Sequence, residues 1–301
     1  MLFVLSAFHR VLAVIILLIL VGALTRIGLG QDCPVSTILR VVDKQSQPVV
    51  NVTTAQLRAE INGTRANISS FSPAAKPAVI LMLDASGSMR GTWNQSIAAA
   101  REVVEKTGEN IVAFVFDERI QGHAIGRTES EKLLDQWSTQ TPRRGTAVGD
   151  ALISIASRIT TRNAAIVVIS DGNDDASTHT SDATKSLFLR SSWPPVFGLI
   201  LDYDHASKHR GYLQKISVAS GGLVAYPSSA SNISATIDEL AATVLSPFAL
   251  TLQPSRSITT GAKLEFEVLG ADGNPRRDVH ALHPVEVAGC DSRSGTPAAQ
   301  R

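Results

Sequence analysis

From residue 78 onward the chain alternates unbroken apolar runs with stretches whose apolar positions recur every three or four residues. The runs are 78–83 (Ala-Val-Ile-Leu-Met-Leu), 111–116, 164–169, 196–201 and 223–226. None alternates with polar residues, the pattern of strands buried on both faces in a parallel sheet. The intervening stretches carry the 3.6-residue period of amphipathic helices. Thr92-Trp93-Asn94-Gln95 has the form of a capping box and opens a helix that buries Ile97, Ala100 and Val104. A second helix places Val148, Leu152, Ile155 and Ile159 on one face. A third places Ile233, Ile237, Leu240 and Val244 together and stops before Pro247. Residues 118–128 predict an edge hairpin around Gly122. Alternating strand and helix signals predict an α/β fold, a doubly wound and mostly parallel sheet with helices on both faces.

The flanks read differently. Residues 35–72 predict a few short strands with turns at Asp43–Pro48 and Asn62-Gly63, and the two prolines of 72–77 mark a linker. After Pro247, Phe248–Leu252 and Lys263–Val268 alternate apolar with polar positions, and Asp272-Gly273 signals a hairpin. The expected organisation is a small N-terminal β segment and linker over 31–75, the α/β domain over 76–246, and a C-terminal β-hairpin segment and tail over 247–301.

Residues 1–30 are a separate matter. Arg10 precedes the apolar run 11–24, and Gly28-Leu29-Gly30 supplies small residues before Gln31. This is the layout of a secretory signal cleaved after Gly30, and an uncleaved membrane anchor is the other reading. On either reading the body of the protein lies outside the cytoplasm: periplasm, cell surface or secreted, or anchored in the inner membrane and facing the periplasm. Export permits a disulfide between Cys33 and Cys290, which sit near the two ends of the mature chain. Free or intermolecular thiols are the alternative. Hydrophobic residues make up 44% and charged residues 18% of the 301, a balance that supports a packed core. The net charge of +1, which becomes −1 when residues 1–30 leave with Arg10 and Arg26 and no acid, offers no basic patch for nucleic acid.

Three segments carry candidate chemistry, and in a doubly wound sheet they would meet beyond the carboxyl ends of the strands. Asp84-Ala85-Ser86-Gly87-Ser88 follows the first apolar run. Arg143-Arg144-Gly145-Thr146 opens the second helix. Ser170-Asp171-Gly172-Asn173-Asp174 closes the run 164–169. Asp84, Ser86, Ser88, Thr146 and Asp171 together offer two carboxylates and three hydroxyls. An all-oxygen set without His or Cys suits a hard divalent cation better than zinc. Neutral hydroxyls leave such a cation electrophilic enough to accept a further carboxylate.

These residues resemble the von Willebrand factor A (VWA) domain. Asp84, Ser86 and Ser88 match its D-x-S-x-S motif, Thr146 its second loop and Asp171 its third. The resemblance covers about residues 78–245 and implies a metal-ion-dependent adhesion site. It implies that Ser86, Ser88 and Thr146 hold the ion by hydroxyls, directly or through water. Asp84 and Asp171 would act through waters and by orienting the serines. The implied cation is Mg2+, with Mn2+ or Ca2+ as alternatives. The implied partner is a protein presenting an Asp or Glu, with neither nucleic acid nor a small-molecule substrate. The segment 41–48 before a Phe-Ser-Pro linker is similar to bacterial exported "VWFA-related" proteins, although Gln56-Leu57 stands where those often carry Asp-Phe.

Ser86 or Ser88 as a catalytic nucleophile lacks Gly-x-Ser-x-Gly and a placed histidine, so no enzyme is expected. Asp171, Asn173, Asp175 and Asp182 have calcium-loop spacing, but Ala176 stands where the turn glycine is needed. Asp174 and Asp175 read as solvated or as rim charge. His205 and His209 are spaced i, i+4 but read as a solvated helix face. Arg143 and Arg144 read as simple loop charges, with steering of an acidic ligand toward the ion as the alternative. The expected function is an exported, metal-dependent binding or adhesion module. The alternative is a scaffold subunit of an envelope complex with a non-functional metal site.

Overall fold

The computed structural model describes residues 34–161, 163–191, 193–201 and 211–287. The expectations for residues 1–30, Cys33, Cys290, His205 and His209 fall outside them. In chain order the strands are β1 (Val35–Asp43), β2 (Leu57–Ile61), β3 (Thr64–Pro73), β4 (Ala78–Asp84), β5 (Ile111–Phe116), β6 (Ile120–Ile125), β7 (Ala164–Ser170), β8 (Val196–Ile200), β9 (Val224–Ala225), β10 (Phe248–Gln253), β11 (Ala262–Val268), β12 (Val279–Leu282) and β13 (Glu286–Val287). The α-helices are α1 (Trp93–Thr107), α2 (Arg127–Ser138), α3 (Val148–Ala156), α4 (Ser181–Ser191), α5 (Gly211–Ser220) and α6 (Ile233–Leu245). Among the described residues no helix is long and apolar enough to cross a membrane.

The first sheet has the order β6-β5-β4-β7-β8-β9. All its pairings are parallel except the β5–β6 hairpin. Gly122 lies within β6 rather than at its turn, which falls at 117–119. The unbroken apolar runs have a direct cause. Val79, Leu81 and Leu83 face a core with Ile97, Ala100 and Val104 of α1 and Ile237, Leu240 and Val244 of α6. The intervening Ile80 and Met82 face a second core with Val148, Leu152 and Ile155 of α3. Every position of β7 is buried. The sheet is therefore covered on both faces, and an α/β doubly wound fold follows. The order reverses at β4, which has β5 on one side and β7 on the other, so the crevice opens at the end of β4.

The flanking segments do not stand apart. They form one antiparallel sheet of order β12-β1-β10-β3-β2-β11-β13. β10 lies between β1 and β3, with Val35 opposite Leu252 and Phe248 opposite Pro73. The alternation seen after Pro247 buries Phe248, Leu250 and Leu252 against Leu39, Val41, Leu57 and Ile61. The Asp272-Gly273 turn does form, with Gly273 at φ +77° and the Gly270 N–H donating to the Asn274 carbonyl at 2.8 Å. The hairpin extends only to the Leu269–Pro275 bridge and the Arg276 N–H bond to the Val268 carbonyl at 2.7 Å, and β12 then pairs with β1. Period-two alternation selects the buried face of a strand and leaves its partner open.

The capping box of α1 also fails to form. Thr92 makes no side-chain cap, and its hydroxyl donates instead to the Met89 carbonyl at 3.4 Å. A 3₁₀ turn over Gly87–Gly91 delivers Thr92 with φ −114° and ψ 7°, away from the extended geometry that a capping hydroxyl needs.

Candidate functional site

The first site loop leaves β4 at Asp84, whose carboxylate is fully buried. Its Oδ1 accepts the Ser86 N–H at 2.9 Å, closing a turn that aims the serine outward from the strand end. Its Oδ2 accepts the Ser170 hydroxyl at 2.7 Å, across from β4 to the end of β7. Ser170 in turn accepts the Gly172 N–H at 3.0 Å. One carboxylate thus ties the first loop to the third. Ser86 Oγ and Ser88 Oγ lie 3.1 Å apart, the first buried and the second exposed.

Burial raises the Asp84 pKa to about 7, against the lowering effect of the hydrogen bonds from Ser170 and Ser86. The Asp171 carboxylate adds to the rise, so the two acids sense each other in the crevice. Asp171 itself is half-buried and accepts the Asn173 N–H at 3.1 Å.

The second loop is joined to the first through its backbone. The Gly87 N–H donates to the Arg144 carbonyl at 2.9 Å, and the Arg143 N–H to the Ala85 carbonyl at 3.3 Å. Arg144 sits at φ +71°, a left-handed conformation disfavoured for a long side chain. A Cβ on Gly87 would come to 3.2 Å from the Arg144 carbonyl oxygen, so the close approach favours glycine. Thr146, 1% exposed, is fixed from three sides. Its N–H donates to Asp175 Oδ1 at 2.7 Å, and its carbonyl accepts from the N–H groups of Asp175 at 3.1 Å and Ala176 at 2.9 Å. The Ala147 N–H donates to the Asp117 carbonyl at 3.0 Å, and the Gly145 N–H to Glu118 Oε1 at 3.1 Å.

Asp174 and Asp175 therefore do more than line a solvated rim. Asp175 holds Thr146, and Asp174 Oδ2 accepts the Gly149 N–H at 2.9 Å in the first turn of α3. Asp174 also receives the Ser177 hydroxyl at 2.8 Å, and burial raises its pKa. Beyond it, Asp150 accepts from the Thr178 hydroxyl at 2.8 Å and lies 2.7 Å from His179 Nδ1. The sequence reading missed Ser170, Glu118 and Asp175 as supports. A serine directly before the motif aspartate was visible, but which loop its hydroxyl would reach was not.

Among the described residues no three or more His, Cys, Asp or Glu side chains cluster to hold a metal ion. The candidate donor set is of another kind: the hydroxyls of Ser86, Ser88 and Thr146 with the carboxylates of Asp84 and Asp171. Oxygen donors of mixed charge at the end of a switch-point strand fit a hard divalent cation. Arg144 lies 3.9 Å from Asp117 Oδ2, while Arg143 and Arg144 are both exposed beside the loops.

Residues 57–190 match a family model described as VWA domain containing CoxE-like protein. No curated protein matches the chain. Among solved structures, proximal thread matrix protein 1 from the mussel byssus, with a zinc-occupied MIDAS motif, is 16% identical with a TM-score of 0.44. That alignment covers 61% of this chain and 49% of the other. The pilus adhesin SpaC from Lactobacillus rhamnosus GG is 10% identical with a TM-score of 0.44, covering 82% and 48%. The human COPII-coat protein Sec24c is 10% identical with a TM-score of 0.39, covering 72% and 44%. The chain spans about half the length of the mussel proteins it matches, and so low a likeness transfers no ligand or partner. The family match over residues 57–190 and the three-loop motif, in order along one strand-helix framework, agree: this stretch is similar to the von Willebrand factor A domain.

Proposed function

We propose that this protein is an exported, metal-dependent protein-binding module rather than an enzyme. Ser86, Ser88 and Thr146 would hold a divalent ion, Mg2+ first among the candidates, with Asp84 and Asp171 orienting the hydroxyls and balancing its charge. The bound ion supplies a Lewis-acidic position that a partner's Asp or Glu can occupy. The observation that carries this reading is the Ser170–Asp84 hydrogen bond of 2.7 Å together with the Gly87–Arg144 bond of 2.9 Å, which hold three loops separated in sequence at one strand end. The Ser86 and Ser88 hydroxyls lie within hydrogen-bond distance of each other, 3.1 Å apart.

The test is a calorimetric Mg2+ titration of the protein and of the double variant Ser86→Ala/Ser88→Ala. Asp84 is left intact, because it is buried and bonded to Ser170 and its loss would unsettle the strand end. The expected result is loss of Mg2+ binding with an unchanged melting temperature in EDTA. Equal affinity in both proteins would remove the site assignment. Mn2+ and Ca2+ titrations rank the ions. A pull-down from an envelope fraction with and without EDTA separates this reading from a scaffold with a non-functional site, which predicts capture insensitive to EDTA.

A further inference from the structure

Beside the first metal loop lies a groove of about 410 Å3, inside the ~300–1,000 Å3 range of ligand pockets. Its walls are residues 90–95 and 138–142. The first wall is the end of the 3₁₀ turn and the opening turn of α1. The second runs from the end of α2 toward Arg143–Thr146. Both walls therefore continue into loops of the candidate ion site, and the Gly87–Arg144 hydrogen bond ties them where they enter it. Trp93 closes the base, with its Nε1–H donating to the Trp137 carbonyl at 3.3 Å.

The groove has a definite charge. Its lining holds one cation, Arg90, and no carboxylate. Arg90 is exposed, and its Nη2 reaches the Pro142 carbonyl at 3.4 Å across the groove. Exposed Arg143 and Arg144 follow directly on the second wall. Helix α1 begins here without a side-chain cap and without an acidic residue in its first turn. Its opening N–H groups and positive dipole end are thus uncompensated at the groove.

We propose that this groove is the second half of the binding surface. It takes an extended acidic segment of a protein partner, with one carboxylate at the ion and a second carboxylate of the same segment at Arg90 and the start of α1. The proposal rests on the metal-dependent reading above and sharpens it from a single acidic side chain to a run with two acids.

The test uses fluorescein-labelled glycine-rich peptides carrying either one aspartate or two, the pair separated by one, two or three residues, with binding read by anisotropy in Mg2+. The best two-aspartate peptide should bind about tenfold tighter than its one-aspartate counterpart. Arg90→Gln, a change at an exposed position, should bring that ratio to about one. Ser86→Ala/Ser88→Ala should remove binding of both peptides. A ratio near one in the unmodified protein, or a ratio that survives Arg90→Gln, overturns the groove, while Mg2+-dependent binding of the one-aspartate peptide still upholds the ion site. Binding of neither peptide overturns the two together.

Discussion

The Arg40 guanidinium lies over the ring of Phe197, 5.1 Å from its centroid, although the two residues belong to different sheets. Arg40 is 2% exposed on β1, and Phe197 is wholly buried on β8. The guanidinium also donates from Nε to the Thr243 carbonyl at 3.1 Å and from Nη2 to the Val244 carbonyl at 3.1 Å. It thereby satisfies carbonyls of the last turn of α6, where a cation is favoured by the helix dipole. Burial lowers its pKa to about 9, which still leaves it charged at neutral pH. One side chain joins the antiparallel sheet to a helix and a strand of the α/β domain.

Arg40→Met should therefore destabilise the whole chain by ~2–4 kcal/mol, since it orphans buried carbonyls and removes the ring contact. Arg40→Lys should recover only part of this, because a single ammonium cannot span two carbonyls and stack on a ring. Urea unfolding midpoints check both, and a midpoint within error of the parent for Arg40→Met would show that the contact is incidental.

Asp84 predicts a pH dependence whose sign is fixed by its burial. The folded chain holds this proton up to about pH 7, whereas the unfolded value is 3.8. The resulting stability is complete below the unfolded pKa and is lost as pH rises through about 7. Without divalent ions, that contribution should fall by ~4 kcal/mol across the window, and Asp84→Asn should remove the slope. The same titration predicts that Mg2+ affinity rises from pH 5 to about 7 and then levels. Chemical denaturation in EDTA at several pH values measures the first effect and calorimetry the second. A slope of opposite sign contradicts the buried, neutral-leaning carboxyl.

Asp175 touches Thr146 only through the backbone, accepting its N–H at 2.7 Å. Removing a residue that orients a metal ligand typically costs ~10–100-fold in affinity. Asp175→Ala should weaken Mg2+ binding by about tenfold, and Asp175→Asn, which keeps an acceptor oxygen, by less. Because Asp175 is exposed, the melting temperature in EDTA should move little. Unchanged Mg2+ affinity in Asp175→Ala would mean that Thr146 needs no such support.

Gly149 has a neighbour that fixes its identity. A Cβ there would fall 1.8 Å from Tyr212 Oη and 2.7 Å from Cζ. That phenol donates to the His179 carbonyl at 3.0 Å and lies 2.9 Å from Thr184 Oγ1. Gly149→Ala should cost ~1–3 kcal/mol by driving the ring away. Adding Tyr212→Ala should cost less than the two single losses combined, since the clash is then gone. Thermal melts of the two single variants and the double variant give the coupling.

The α/β domain was legible because its strands are buried twice over. Positions such as Val79 and Ile80 face opposite cores, so β4 and β7 have no polar position before their terminal Asp84 and Ser170 to blur the signal. Helix faces at Ile237, Leu240 and Val244 followed the 3.6-residue period directly. The candidate site stood out for a different reason: Asp84, Ser86, Ser88, Thr146 and Asp171 sit where strands end or helices begin, and local pattern marks those points. Its supports were hidden, because Ser170, Glu118 and Asp175 act through hydrogen bonds to residues 86, 27 and 29 positions away in sequence. The capping box failed by the same logic, when a preceding 3₁₀ turn set the backbone of Thr92.

By itself the sequence determined which residues are buried, which segments are strand or helix, and which side chains carry oxygen chemistry, because periodicity and turn chemistry act over a few residues. Only the tertiary structure decided that β10 is inserted between β1 and β3, that Arg40 ends up under α6 against Phe197, and that a cationic groove opens beside the three loops. Those outcomes depend on pairing between edges and on contacts across some 200 positions of chain. Alternation and period define a face, but many partners can satisfy a face, and only the folded packing selects one.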